Sequence, residues 1–214
     1  MARFRDRADA GRLLGERLSA YAGRDDVVVL ALPRGGVPVG FEVARSLHAP
    51  LDVFVVRKLG VPGHEELAFG AVASGGVRVL NDDVVAALGL SEREIEAIAE
   101  RERAEVARRE REYRGDRSPL ELEGTIAILV DDGLATGASM RAAARAVGRL
   151  GPKKTVVAVP VAAAETCAEL RGDVDEVVCA LTPTPFYAVG LWYDDFEQTS
   201  DDEVRELLQE AAPA

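Results

Sequence analysis

The stretch TIAILVDDGLATGAS, residues 125–139, constrains the fold more tightly than any other part of the chain. Thr125–Val130 is an aliphatic run without polar alternation. A strand of that kind has to bury both faces, which is the habit of a parallel sheet covered by helices on each side. The paired acids end the strand, and the small residues after them lead into a helix over Gly137–Leu150. The same order occurs earlier. Val27–Leu32 reads as a strand, PRGGVP as a loop, Val39–Leu47 as a helix and Asp52–Val56 as the next strand. Such a unit favours parallel strands and a right-handed crossover. Strand Thr155–Val161, helix Ala163–Arg171 and strand Glu176–Leu181 continue the alternation. The expected fold class is therefore α/β, with three α/β/α layers around a mainly parallel central sheet. One domain is expected over 1–214, with its core at about 25–182.

Three additions stand outside this alternation. Residues 7–21, with Leu13, Leu14 and Leu18 at helical spacing, form an amphipathic first helix. LAFGAVASGGVRVLN carries two short apolar segments around Ser74-Gly75-Gly76, a hairpin signal. Residues 91–114 are mostly charged, with only Ile95, Ala99, Val106 and Tyr113 in an apolar stripe, and read as a solvated helix laid across the sheet or a partner. Lysine and arginine total 26 against 37 acidic residues, a net charge of -11. That balance argues against duplex nucleic acid or an anionic membrane surface as the main partner. No apolar run reaches the roughly 20 residues of a membrane span, and the N-terminus lacks a signal-like apolar core. The expected setting is a reducing cytoplasm, with Cys167 and Cys179 as buried free thiols.

In open parallel sheets ligands gather beyond the carboxyl ends of the strands, where Asp131 and Asp132 stand. LATGAS lets successive backbone amides converge at the start of a helix, which suits a phosphate, and Thr136 and Ser139 add hydroxyl donors. Carboxylates beside an anion must serve in another way, by accepting hydrogen bonds from sugar hydroxyls or by holding a metal. A sugar phosphate satisfies both halves. A plain helix cap would explain Asp132 or Thr136 alone, but not the whole constellation. There is no Gly-Lys-Ser/Thr of a P-loop and no Gly-x-Gly-x-x-Gly of a dinucleotide site.

ILVDDGLATGAS resembles the phosphoribosyl-pyrophosphate-binding signature of the type I phosphoribosyltransferases. Three further stretches fall where that fold needs them. Pro33-Arg34-Gly35-Gly36 is similar to the pyrophosphate loop, Arg57-Lys58 precedes a segment, Gly60–Val77, like the hairpin flap that closes over the substrates, and PFYAVGLWYDDF resembles the base-binding tail of purine-type members. The charged helix at 91–114 is an insertion, and about 183–214 forms a small C-terminal hood segment.

The resemblance implies a Mg²⁺-dependent transfer of the 5-phosphoribosyl group from phosphoribosyl pyrophosphate to a small nitrogenous base, as in nucleotide salvage, with release of pyrophosphate. Asp131 and Asp132 are then expected to bind the ribose hydroxyls and Mg²⁺, directly or through water. Ala135, Thr136, Gly137, Ala138 and Ser139 would hold the 5-phosphate. Arg34, Gly35, Gly36, Arg57 and Lys58 would receive the pyrophosphate, with Arg34 and Lys58 counted with the two aspartates as catalytic and a strained peptide expected in the Arg34 loop. Phe186, Trp192, Asp194 and Glu66 are the base-side candidates. Ala135 matches adenine-type members rather than hypoxanthine-guanine-type ones, which carry an aspartate there. The family also includes regulators that bind the ligand without turnover, the competing expectation, and homodimers are common in it.

Overall fold

The computed structural model describes residues 3–61, 64–115 and 117–211, with the side chains of 64–67 outside that description. In chain order the elements are α1 (Arg7–Arg17), β1 (Val27–Ala31), α2 (Gly36–Leu47), β2 (Leu51–Val53), β3 (Val56–Val61), β4 (His64–Ala73), β5 (Val77–Leu80), α3 (Asp82–Leu88), α4 (Glu92–Arg114), β6 (Ile126–Val130), α5 (Ala138–Arg149), β7 (Lys154–Val161), α6 (Ala164–Leu170), β8 (Glu176–Leu181) and α7 (Asp201–Glu210). Five of the strands form a parallel sheet in the order β2-β1-β6-β7-β8, and β3-β4-β5 form a separate antiparallel sheet.

The aliphatic run before the paired acids lies at the centre. Every residue of β6 is buried, and its side chains alternate between two cores. Ile126, Ile128 and Val130 pack with Leu14 of α1, Val39 of α2 and Val204 and Leu208 of α7. Ala127 and Leu129 pack with Met140 and Val147 of α5 and Leu170 of α6. Helices thus cover both faces, as expected of a strand with no polar side.

Three features differ from the sequence expectations. The expected strand 52–56 divides: β2 ends at Val53, and β3 starts at Val56 in the other sheet. Phe54 and Val55 are buried at the crossing, so hydrophobicity runs unbroken through a change of sheet that periodicity cannot register. At the hairpin, Gly75 and Gly76 take positive φ of 75° and 71°, which glycine adopts without strain. Buried Ser74 accepts a hydrogen bond from the Val55 amide at 2.9 Å. Second, α7 was not expected, although Ser200 caps it by accepting from the Glu203 amide, the sequence signature of a helix start. Third, Cys167 and Cys179 are not free thiols: they form a disulfide with a Cα–Cα distance of 6.8 Å. The crossover through α6 sets position 167 over the returning strand β8, a proximity that two residues 12 apart do not reveal in sequence.

In α4 all four stripe residues, Ile95, Ala99, Val106 and Tyr113, are buried. Ile95, Ala99 and Val106 pack with Leu59, Phe69 and Val72 of the antiparallel sheet. Ser91 and Glu94 form a capping box at its start, and Tyr113 donates to Asp201 at 2.5 Å. The charged insertion is therefore fixed at both ends. No helix among the described residues is long and apolar enough to cross a membrane.

Candidate active site

β1 and β6 are neighbours, and their onward connections diverge, β1 towards β2 and β6 towards β7 and β8. That divergence opens a crevice beyond the carboxyl ends of the strands. Two loops enter it, Leu32–Gly35 after β1 and Asp131–Gly137 after β6. They are stitched together by the Leu32 amide, which donates to the Val130 carbonyl at 2.9 Å. Glycine is obligatory in the first loop because of this approach. A Cβ on Gly35 would stand 2.1 Å from Asp132 Oδ2, and one on Gly36 would stand 2.8 Å from the Val130 carbonyl and 3.2 Å from Asp131 Oδ1. The Pro33–Arg34 peptide is cis.

The two aspartates have different surroundings. Asp132 Oδ2 accepts from Arg7 Nε at 2.9 Å, and both side chains are largely buried, with 12% and 16% of their surface exposed. Arg7 Nη1 also donates to the Glu197 carbonyl at 2.7 Å, and its guanidinium lies 4.0 Å from the centre of the Phe196 ring. The Tyr193 hydroxyl donates to the Asp132 carbonyl at 2.6 Å. Asp132 is thereby tied to α1 and to the C-terminal tail. Asp131 instead lines a cavity of about 130 Å³ whose walls include Pro33, Val55, Arg109 and Ser139. Burial pushes the Asp131 carboxyl well above the ordinary carboxylate range, and the charge of Asp132 adds to the push. Burial raises Asp132 as well, with Arg7 pulling the other way. Tyr193 is raised by burial first and by Asp132 second.

The second loop then enters α5. Gly137 takes a φ of 68° at the N-cap and supplies no side-chain cap, and its Cβ would meet Thr166 Cγ2 at 2.6 Å. Thr166 fixes the loop from below, donating to the Ala135 carbonyl at 2.7 Å. Ala135, Thr136, Ala138 and Ser139 are exposed at the crevice. Their backbone amides lie at the positive end of a twelve-residue helix, a geometry suited to an anion.

Residues 6–194 match the phosphoribosyl transferase domain family. The chain belongs to that family. A Mycobacterium tuberculosis relative, provisionally named a phosphoribosyl transferase, is 52% identical over 211 residues, covering 99% of this chain and 47% of its own length. The chain thus spans about half the length of the curated relatives it matches. A crystal structure from Thermus thermophilus is similar with a TM-score of 0.89 at 45% identity, covering 99% of this chain and 100% of that one. A hypothetical protein from Neisseria gonorrhoeae, crystallised with bound ppGpp, shares the fold with a TM-score of 0.50 at 12% identity, covering 96% and 93%.

Within this phosphoribosyl transferase domain the remaining candidate residues fall in several places. Arg34 leans towards α7, its Nη1 3.9 Å from Asp201 Oδ2. Arg57 and Lys58 are adjacent on β3 and their side chains diverge. Arg57 Nε is held by Glu102 of α4 at 2.9 Å, whereas Lys58 lines a cavity of about 180 Å³ with Ala138 and Arg141 at the start of α5. Phe186 and Trp192 pack around Phe4, Val161 and Tyr193, and Trp192 also lines a cavity of about 710 Å³ beside α1. The Asp194 side chain is exposed, and its amide donates to the Phe4 carbonyl. The Glu66 side chain lies outside the described residues.

Sequence reasoning missed Arg7, Tyr193 and Arg109. Arg7 meets a partner 125 residues away, and a linear reading contains no signal for that. Tyr193 lies inside the aromatic tail already singled out, and Arg109 inside a helix whose many arginines conceal it.

Proposed function

We propose that this domain is a Mg²⁺-dependent phosphoribosyltransferase that moves the 5-phosphoribosyl group from phosphoribosyl pyrophosphate to a nitrogenous base and releases pyrophosphate. One observation carries the reading: a partly buried pair of carboxylates meets, at the switch point of the sheet, an α5 entry loop without a side-chain cap at its Gly137 N-cap and a glycine loop that Cβ atoms would close. In this reading the amides of Ala135–Ser139, with the Thr136 and Ser139 hydroxyls, hold the 5-phosphate. Asp131, together with the Asp132 oxygen not engaged by Arg7, accepts the ribose hydroxyls. Their negative charge favours the cationic ring that develops as the bond to pyrophosphate breaks. Gly35 and Gly36 let the pyrophosphate approach the backbone, with Arg34 and Lys58 at the margins.

The residues fit a divalent cation. Asp131 and Asp132 are adjacent, and burial holds both above the ordinary carboxylate range, so a cation beside them would favour the ionised forms. They make a pair rather than a closed cluster of three acidic or histidine ligands among the described residues, which leaves the other positions to substrate oxygens and water. Bound there, Mg²⁺ would neutralise charge developing on the pyrophosphate. The acceptor base, the role in salvage, the homodimer and the cytoplasmic setting belong to the same proposal, with Phe186, Trp192, Asp194 and Glu66 as the base-side residues to test.

The test is pyrophosphate release from phosphoribosyl pyrophosphate with Mg²⁺ and a panel of adenine, hypoxanthine, guanine, xanthine, uracil and orotate, with the Asp131→Asn/Asp132→Asn double variant as control. Base-dependent release that the variant loses supports the transferase and names its acceptor. Tight calorimetric binding without release from any base supports a ligand-binding regulator instead.

A further inference from the structure

Under that reading the site must receive a pyrophosphate group carrying several negative charges beside two carboxylates, and the cations expected to balance it are poorly placed. Arg34 is drawn towards Asp201. Arg57 is committed to Glu102, which is itself buried. Lys58 serves a different cavity, between the antiparallel sheet and α5. Among the described residues, the cavity that contains Asp131, Pro33 of the glycine loop and Ser139 of the phosphate loop has one cationic side chain in its wall, Arg109 of α4.

Arg109 is held through one nitrogen only. Its Nε donates to Glu105 Oε1 one turn earlier at 2.7 Å. Neither terminal nitrogen has a hydrogen-bond partner among the described residues, so both remain for a ligand. Glu105 is kept at a pKa of about 2, by Arg108 first and Arg109 second, and stays a fixed anchor across the physiological range. The helix beneath is fixed too. Val106 and Tyr113 are buried on either side of Arg109 in sequence, and Arg114 makes a two-pronged contact with Asp52 at 3.0 Å. A guanidinium on such a support loses little freedom when it meets a phosphate, and its paired donors match phosphate oxygens.

We propose that Arg109, supplied by the charged helical insertion, binds the pyrophosphate group of phosphoribosyl pyrophosphate. This rests on the phosphoribosyltransferase reading above. It gives the insertion a part in the chemistry and explains why a helix with so many solvent-facing charges is anchored beside the crevice.

The experiment is calorimetric binding of phosphoribosyl pyrophosphate, inorganic pyrophosphate and ribose 5-phosphate, with Mg²⁺, to the full chain and to Arg109→Ala, Arg109→Lys and Asp131→Asn/Asp132→Asn. A charge-assisted contact of this kind corresponds to about a 10- to 100-fold loss of affinity. Arg109→Ala should lose that much for phosphoribosyl pyrophosphate and for pyrophosphate, keep its affinity for ribose 5-phosphate, and melt within about 2 °C of the parent. Arg109→Lys should recover part of the loss. Unchanged binding of phosphoribosyl pyrophosphate by Arg109→Ala, or an equal loss for ribose 5-phosphate, overturns the assignment. If the aspartate variant loses binding while Arg109→Ala keeps it, only the Arg109 inference falls. If the parent binds none of the three ligands, the phosphoribosyltransferase reading falls with it.

Discussion

Replacing Arg7 by Met tests whether Asp132 depends on a partner outside its own loop. At 2.9 Å the two charges attract by about 6 kcal/mol with an effective dielectric of 20. The desolvation of both ions offsets much of that in the intact protein. Removing one partner leaves the other buried and uncompensated, which costs about 3–5 kcal/mol. Arg7→Met also removes the hydrogen bond to the Glu197 carbonyl and the stacking over Phe196, so the upper part of that range applies. In a domain of this size the loss lowers Tm by roughly 8–20 °C. Asp132 can escape part of the penalty by binding a proton, so the deficit should be largest at alkaline pH and shrink as the pH falls. The assay is urea unfolding followed by circular dichroism at pH 7.5 and pH 5, for the parent, Arg7→Met, Asp132→Asn and the double variant. The cycle should give a coupling of about 2–3 kcal/mol, the rest of the Arg7→Met cost being the lost Glu197 and Phe196 contacts, which are missing whether or not the carboxylate is neutral. A coupling below about 0.5 kcal/mol, or an Arg7→Met variant as stable as the parent, would refute the claim that this pair holds the site together.

Two further outcomes follow from the buried groups. Because burial and Asp132 raise the Asp131 carboxyl in the native state, the folded protein holds that proton more tightly than the unfolded chain. Stability is therefore lost as pH rises from the ordinary carboxylate range through the raised native value. Asp131→Asn should melt higher than the parent at pH 8, lose that advantage below about pH 4, and be inactive throughout; a lower Tm at pH 8 would contradict the sign. The Cys167–Cys179 disulfide closes a loop of 12 residues, for which chain entropy gives about 3 kcal/mol. Dithiothreitol should lower the Tm of the parent but not that of Cys167→Ala/Cys179→Ala, and an equal fall in both would remove the disulfide from the account of stability.

The parts of the fold legible in the sequence are those set by local pattern. β6 and β1 announce themselves because a strand buried on both faces has no polar position to spare, and the four stripe residues of α4 because helical spacing in a charged segment leaves them no other role. The division of Asp52–Val56 between two sheets was not legible, since Phe54 and Val55 are as apolar as the strand residues they separate. Nor was the disulfide, which depends on how the α6 crossover is laid down. Within the site, the placement of Asp131, Gly35 and the α5 entry loop follows from strand-loop-helix order. The alternation of β3 sends Arg57 to Glu102 and Lys58 towards α5, a consequence of the two-residue strand period that only the position of α4 turns into a difference of role.

The two adjacent aspartates resemble one another in sequence but not in their surroundings, and the difference bears on how such a site can hold two carboxylates side by side. Two buried negative charges in neighbouring residues repel, and the chain must offset that repulsion with its own groups. Arg7 neutralises the outer one and joins it, through the Glu197 carbonyl and Phe196, to a tail that also reaches Asp132 through Tyr193. Asp131 is left as the member facing the cavity, with its raised proton affinity uncompensated by any basic side chain in hydrogen-bond contact among the described residues. An incoming cation, or a ligand donating hydroxyl protons, then gains most at Asp131. Only one of the pair has a basic partner, so ionising Asp131 leaves a charge that a cationic ring or a metal would meet in place of the proton. The N-terminal helix and the C-terminal tail, remote in sequence from the loop after β6, are on this account what allow the paired acids to stand together.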